Sequence, residues 1–537
     1  MSLWPAAFVA SSSDPDTLRY DEAMRDTDAL EWRESMHKEI TSLIKQGTWE
    51  IVSKSSATTK ILPGTWTLRR KRHPDGRIKS LKARWCVCGD LQEPMENTFA
   101  PVVMWSTVRL LMYFTLFFKL HTRCIDFSNA FVQAALLDEP IYVHLPRGYQ
   151  SDSEQDVCLK LTKSLYGLVQ APRLWFDHLK AKLETRGFTQ SSLDPCLFYC
   201  KTTVLVCYVD DIIMAGPESN VLDALVADLK VDADLTEEGE LAAFLGIQVS
   251  RKNDTFTLTQ TGLTDRIIST LGLNSANPTW TPTTQESLGS DVDGLAMTDT
   301  WNYRSVIGML LYLSNNSRPD IAFAVHQCAR FSHAPKQIHA LAIKAIGRYL
   351  IRTRDKGLIL SPSGDLGVDC YVDADFAGLW LHEDDQNPLS VKSRTGYLIT
   401  IGGCPLTWTS KLQTEVALST MEAEYIALSH SMRELIPIHD LVQEMAISVG
   451  QCPNFEIRTY SKVFEDNNGA LILASSPRMT PRSKHIAVKY HFFRSHVANG
   501  HIKIIKIATT KQKADIFTKG LVVHTVFEFI RKLVMGW

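Results

Sequence analysis

The 537-residue sequence has 11 cysteines but no Cys-x-x-Cys pair. Scattered thiols exclude a zinc module of that type and suit a reducing compartment in which they stay unpaired. Cys86 and Cys88, the closest two, read as ordinary residues on one face of a strand. Long apolar runs are also lacking. The most apolar stretch, 108–120, carries Arg109 and Lys119 and is shorter than the ~20 residues that span a bilayer, so it is expected to be a buried helix, with no membrane partner. The first ten residues lack the charged start and cleavage pattern of a signal peptide. Excess charge of either sign is missing as well. Lys and Arg total 57 against 59 Asp and Glu, a formal net charge of −2, so any bound nucleic acid must meet a local basic patch. No internal repeat or low-complexity tract is present.

The composition, 45% hydrophobic and 22% charged, is that of a folded protein. The chain exceeds the ~250 to 300 residues at which one core stops growing, which implies at least two domains. Residues 1–28 read as a tail, polar and Asp-rich over 11–28. From there to 273, helical and extended segments alternate, beginning with Trp32, Met36, Ile40 and Leu43 at helical spacing. His73-Pro74-Asp75-Gly76, between the basic stretches 69–72 and 77–84, signals a hairpin. Residues 274–300, rich in Thr, Ser, Pro and Asp, read as a linker. Residues 301–362 are helical in pattern, broken at Arg318-Pro319-Asp320, with a second weak spot at Ser361-Pro362-Ser363-Gly364. Residues 363–537 read as a separate α/β unit with strands near 368–373 and 396–401 and a helix over 420–432.

Two adjacent acids interrupt an apolar run in Val206-Cys207-Tyr208-Val209-Asp210-Asp211-Ile212-Ile213, which fits two short strands joined at the acids. Burying such charges costs several kcal/mol unless they are paired or bind metal. A divalent metal site and a plain Asp-Asp turn both remain open on these residues alone. Asp126, in Cys124-Ile125-Asp126-Phe127, ends another strand-like stretch and supplies a third carboxylate. Phosphoryl transfer through two metal ions needs acids gathered in this way from different strands.

Tyr208-Val209-Asp210-Asp211 resembles the catalytic box of reverse transcriptases. Several further motifs are similar to those of the copia group of retrotransposons: Lys82-Ala83-Arg84, Thr98-Phe99-Ala100-Pro101-Val102, Ser164-Leu165-Tyr166-Gly167-Leu168, Gln170-Ala171-Pro172-Arg173 and Phe244-Leu245-Gly246-Ile247. The resemblance implies a mixed α/β and α+β multidomain fold: a right-hand polymerase of fingers, palm and thumb, then a helical connection and an RNase H-like α/β domain. By the same resemblance Asp126, Asp210 and Asp211 bind two Mg²⁺ (or Mn²⁺) ions. Phe131 is the gate that clashes with a ribose 2′ hydroxyl, and Tyr166 and Gly167 lie beside the incoming nucleotide. Lys82 and Arg84 contact template phosphates and the triphosphate.

In the C-terminal unit, Asp373, Glu424, Asp466 and Asp515 follow one another in an order similar to the RNase H of copia elements, with Ser393-Arg394-Thr395-Gly396-Tyr397, Lys484-His485-Ile486 and Thr518-Lys519-Gly520 as landmarks. The resemblance makes these four a second two-metal set that activates water against a phosphodiester; spacing alone leaves open four unrelated surface acids. Matching Ala423-Glu424-Tyr425 to the family's helix selects Glu424 over Glu422. Asp375 reads as a surface acid, and His485 as structural beside a phosphate contact at Lys484.

The function implied is RNA-directed DNA polymerisation with RNase H activity. RNA template, DNA primer, RNA/DNA hybrid, dNTPs and the element's other Pol and Gag products are the partners. The expected location is intracellular, in a cytoplasmic particle or the nucleus. Zinc-knuckle, protease and integrase signatures are not found, and by the resemblance belong upstream in a full polyprotein. Two departures stand out: the family carries a basic residue where this chain has Cys88, and Lys where it has Val169. They support a second reading, a catalytically reduced nucleic-acid-binding relic that keeps the fold.

Overall fold

The computed structural model describes residues 16–72, 78–136, 140–149, 156–283, 287–363, 366–378, 380, 390–449, 460–476, 486 and 488–537. The expected turn at 73–76, the pair Lys484-His485 and residues 1–15 of the expected tail lie outside them.

The fingers are built on a hairpin, Gly64–Arg72 with Ile78–Val87. Alternation along the second strand divides its roles. Ala83, Trp85 and Val87 are buried, whereas Lys82, Arg84 and Cys86 share the other, half-buried face. The helix Ala29–Lys45 covers the buried face with Trp32, Met36, Ile40 and Leu43, the residues whose spacing predicted it. Ser35 fixes its register: the hydroxyl donates to the Leu81 carbonyl at 3.0 Å and accepts from the Ala83 amide at 3.0 Å. Part of the expected tail is bound into this sheet, since Thr17–Leu18 pairs with Arg69 and Leu68. A second sheet, in the order Trp49–Ser53, Val157–Leu161, Tyr142–Val143, Ile61–Leu62, completes the fingers.

The palm is a six-stranded sheet in the order Leu235–Gly239, His121–Phe127, Asp211–Gly216, Thr203–Tyr208, Leu197–Cys200, Thr189–Gln190. Its two central strands are apolar on both faces because both faces are covered. One cover is the helix Trp105–Phe117, buried from Ser106 to Leu116, which accounts for the run that looked long enough to be a core helix and too short to cross a membrane. Among the described residues no helix is long and apolar enough to cross one.

A four-stranded sheet follows: Ala243–Phe244, Ile247–Lys252, Thr255–Thr259 and, from beyond four α-helices of which Thr261–Thr270 is the first, Leu358–Leu360. The described part of 274–300 carries neither helix nor strand apart from one isolated bridge, Ala296 to Lys336. Helices Tyr303–Asn316, Ala322–Ala329 and Gln337–Arg352 come next, with a 3-10 turn at Pro319–Ile321 where proline interrupts the pattern.

The last unit is a five-stranded mixed sheet in the order Cys404–Leu412, Arg394–Ile401, Val368–Asp375, Ser461–Glu465, Ile502–Lys506. The first three strands are antiparallel and the last two are parallel to Val368–Asp375 and to each other. The helix crossing it spans Thr420–Val449, well past the expected end at 432 and through Pro437. Its buried stripe continues with Leu435, Ile438, Leu441, Val442 and Met445, and that packing outweighs the proline.

The fold class expected from the sequence is the one found, a mixed α/β multidomain chain. Its packing divides the chain differently from its motifs. Fingers residues from Ala23 to Ala171 form one apolar cluster, while palm, helical segment and C-terminal unit share another, running from Val103 to Met535.

Candidate active sites

The turn joining Thr203–Tyr208 to Asp211–Gly216 is two residues long, with Val209 at φ +57°, a left-handed conformation that a β-branched residue rarely adopts. Two bonds hold it: the Trp175 indole donates to the Val209 carbonyl at 2.6 Å, and the Phe127 amide to the Asp210 carbonyl at 2.9 Å. Strained backbone held by its surroundings is a feature of functional turns. Here it aims Asp210 and Asp211 toward Asp126, which sits opposite Asp211 on the neighbouring strand.

The three carboxylates sense one another. Burial, followed by the charges of Asp210, Asp126 and Glu238, pushes Asp211 up to about 7. Burial and then Asp210 and Glu238 raise Asp126, against the lowering effect of Lys82 and Lys71. Glu238 escaped the sequence reading because it sits beside a register shift at the sheet edge, between Glu237 and Gly239. An all-oxygen anionic set destabilised by its own repulsion suits a hard divalent cation, which would relieve that repulsion.

Beside these acids lie the residues expected to hold nucleotide. Arg84 stacks its guanidinium 4.7 Å above the Tyr166 ring, and Phe131 meets the same ring edge-on at 5.2 Å. Lys82 is depressed by burial and by Arg84, while Glu39 and Asp126 favour its charged form. Gly167 has φ +93°, and a Cβ there would stand 2.0 Å from the Val87 carbonyl oxygen. The Val87 amide in turn donates to the Tyr166 carbonyl at 2.7 Å, so the loop is sewn to the fingers strand. Glu39, buried and raised by that burial, accepts from the Trp85 amide behind the basic face. Nothing in its helical pattern marked it, because its role depends on the strand it meets.

In the C-terminal unit, ligand oxygens of Asp373, Glu424 and Asp466 all lie within 4.8 Å of one another. Asp126, Asp210 and Asp211 are not gathered so tightly, and Asp515 stands outside the cluster. Lys519 bridges Asp515 to it, 2.8 Å from Asp515 and 3.3 Å from Asp373, whose same oxygen also accepts from the Thr518 hydroxyl. The Asp466 carboxylate accepts from Thr509 at 2.8 Å. Glu422 turns back to accept from the Leu418 amide at 2.8 Å, so of the two glutamates only Glu424 faces the other acids.

Glu424 is pushed up to about 11 by burial and by Glu465, Asp373 and Asp466, and its Oε2 has no hydrogen-bond partner. Burial and Asp373 bring Asp515 to about 6 in spite of Lys519. Glu465, fully buried next to Asp466, was missed by the motif; burial and the neighbouring acids raise it as well, and one of its oxygens is also unpartnered. Orphaned, buried carboxylate oxygens are what a bound divalent ion satisfies, so this donor set fits Mg²⁺ or Mn²⁺. Asp375, expected at the surface, is instead half-buried and raised by burial and Asp373, because it ends the central strand of the sheet, where it pairs with Arg394.

Of the two departures from the family pattern, Cys88 donates its amide to the Pro63 carbonyl, and the Val169 amide donates to Gln92. Both are backbone roles that these side chains do not disturb.

Residues 46–285 match the family model described as reverse transcriptase (RNA-dependent DNA polymerase). The chain is 32% identical over 523 residues to the retrovirus-related Pol polyprotein from transposon RE1 of Arabidopsis thaliana, covering 96% of this chain and 34% of that protein. It is 30% identical over 231 residues to an uncharacterised mitochondrial protein, AtMg00810, of the same plant, covering 43% of this chain and 92% of the relative. A solved structure of a foamy viral protease-reverse transcriptase in complex with double-stranded DNA aligns with 89% of this chain and 70% of that chain, at 14% identity and a TM-score of 0.44. The chain spans about a third of the length of the transposon polyprotein it matches.

Proposed function

The chain belongs to the reverse transcriptase (RNA-dependent DNA polymerase) family of copia-type transposon Pol polyproteins, and from that premise we propose that it copies RNA into DNA in the palm and degrades the RNA strand of the hybrid in the C-terminal unit. The observation that carries the reading is the pairing of Asp126 with Asp211 beside Asp210, three acids at one end of a sheet whose face meets Lys82, Arg84, Phe131 and Tyr166.

Asp126, Asp210 and Asp211 would hold the two divalent ions of the polymerase, whose chemistry is to activate the primer hydroxyl and neutralise the triphosphate. Lys82 and Arg84 orient the phosphates, and the stack of Arg84 on Tyr166 fixes the guanidinium plane before substrate arrives. Phe131 is held edge-on by Tyr166, so a ribose 2′ hydroxyl meets a ring that cannot swing away. Gly167 lets the backbone approach where any side chain would collide with Val87.

In the second site Asp373, Glu424 and Asp466 would hold ions that activate water and stabilise the leaving oxygen, with Asp515 as the fourth acid of the set, beside them through Lys519. Lys519 keeps Asp515 and Asp373 together from the side. RNA template, DNA primer, hybrid and dNTPs are the substrates of this reading. The domain divisions belong to it too: polymerase over 29–273, linker over 274–300, helical connection over 301–362 and RNase H-like domain over 363–537.

Extension of a DNA primer on an RNA template with Mg²⁺ and dNTPs, beside an Asp210→Asn control, tests the polymerase. Extension that vanishes in the control while RNA cleavage persists is expected. A folded wild-type chain that binds primer and template without extending them would favour the relic.

A further inference from the structure

Arg109 lies on the palm helix Trp105–Phe117 and is buried, with 3% of its surface exposed. Among the described residues no carboxylate pairs with it, and burial alone pulls it down to about 9, so it is charged at neutral pH. A buried cation without a counter-ion is costly unless dipoles surround it. Its partners are carbonyls from two other parts of the chain. One nitrogen donates to the Leu406 carbonyl at 2.7 Å, and the other to Asn315 and, at 3.2 Å, Asn316.

Each of those carbonyls is free for a local reason. Asn315 and Asn316 end the helix Tyr303–Asn316, where the last carbonyls have no intrahelical donor and the helix dipole is negative. Leu406 is the extra residue of a bulge: Ile399 pairs with Thr407 and Thr400 with Pro405, so Leu406 has no partner across the ladder. The guanidinium also lies 4.2 Å over the Trp408 ring, and the Trp408 indole donates to the Ser314 carbonyl at 3.0 Å. One side chain of the palm therefore caps the connecting helix and fills the bulge of the C-terminal sheet at the same time.

We propose that Arg109 is a positioning residue that sets the distance along the nucleic acid between nucleotide addition and RNA cleavage. This rests on the two-activity reading above. Palm and C-terminal unit share one apolar cluster, but apolar contact is non-directional and tolerates sliding. The three directional bonds from Arg109 to the Leu406, Asn315 and Asn316 carbonyls are what fix the register of one unit on the other.

The test uses the full chain on a labelled RNA template with an annealed DNA primer and no dNTPs, so the primer terminus marks the polymerase site and the fragment lengths mark the cuts. The wild-type chain is expected to cut in one narrow cluster. In Arg109→Met the cluster is expected to move or broaden by about one to two nucleotides, because a slip of one helical turn is ~5.4 Å and a nucleotide step along a strand ~3.4 Å. Arg109→Lys, which keeps a charge and some of the bonds, should restore part of the wild-type pattern. Trp408→Leu, which removes the ring beneath the guanidinium, gives the same readout where Arg109→Met does not fold. A role confined to stability lowers all bands together without moving them, and unmoved cuts in the folded variants overturn the proposal. A wild-type chain that makes no cuts overturns the RNase H reading and this proposal with it.

Discussion

Asp126 and Asp211 stand directly across from each other on adjacent antiparallel strands. Burial and then the neighbouring carboxylates Asp210 and Asp126 raise Asp211 to about 7, and in the second site burial and then Asp373 raise Asp515 to about 6. Both start from 3.8 in the unfolded chain. A carboxyl raised on folding holds its proton more tightly when folded, so its contribution favours the folded state below the unfolded value and is lost as pH rises through the folded one. Without divalent ions the melting temperature is therefore expected to fall between about pH 4 and pH 7. The Asp211→Asn, Asp515→Asn double variant should show a flatter profile, and added Mn²⁺ should reduce the wild-type fall. Melting curves across that range check it; identical slopes in the two proteins would refute it.

Gly167→Ala is expected to destabilise the chain by about 1–3 kcal/mol, since it places a Cβ at a positive φ and against the Val87 carbonyl. Denaturant unfolding measures the loss. The apparent KM for dNTP should rise in the same variant, because the loop it displaces carries Tyr166.

Glu424→Gln separates stability from activity. Without divalent ions Glu424 is pushed up to about 11 by burial and the neighbouring acids, so in that state its carboxyl is protonated near neutral pH and glutamine imitates it. Stability should stay within about 1 kcal/mol of wild type, while hybrid cleavage falls on the order of a hundredfold or more. Primer extension should be unaffected. Loss of extension in a folded Glu424→Gln protein would argue against two separate sites.

Phe131→Ala is expected to raise ribonucleotide incorporation relative to deoxyribonucleotide by about tenfold, a change of ~1.4 kcal/mol in discrimination. Competition between rNTP and dNTP at a single template position reads it. An unchanged ratio would reduce Phe131 to a packing partner of Tyr166.

Much of both candidate sites was legible in the sequence because charge inside a run of Val, Ile and Tyr is conspicuous, and because the acids recur in order between recognisable strands and a helix. The residues around them were not. Glu238 reaches Asp211 only because a bulge turns the edge strand, Glu39 lies behind Lys82 only because its helix packs on that strand, and Lys519 bridges Asp373 and Asp515 across 146 and 4 positions of chain. Glu465 was hidden by its neighbour Asp466, since a motif names a position and burial decides what its neighbour does.

By itself the sequence determined the local pieces: the amphipathic helix at Trp32 to Leu43, the buried helix around Arg109, the acid-bearing turn and the break at Pro319. Each follows from periodicity, charge or backbone geometry within a few residues. Only the tertiary structure decided how those pieces share a core. The linker at 274–300 suggested units packed separately, yet the apolar cluster crosses it, and Arg109 joins carbonyls 206 to 297 residues away. The physical reason is that apolar surface is buried against whatever closes over it, and a helix end or a strand bulge leaves its carbonyl for whichever donor the fold delivers.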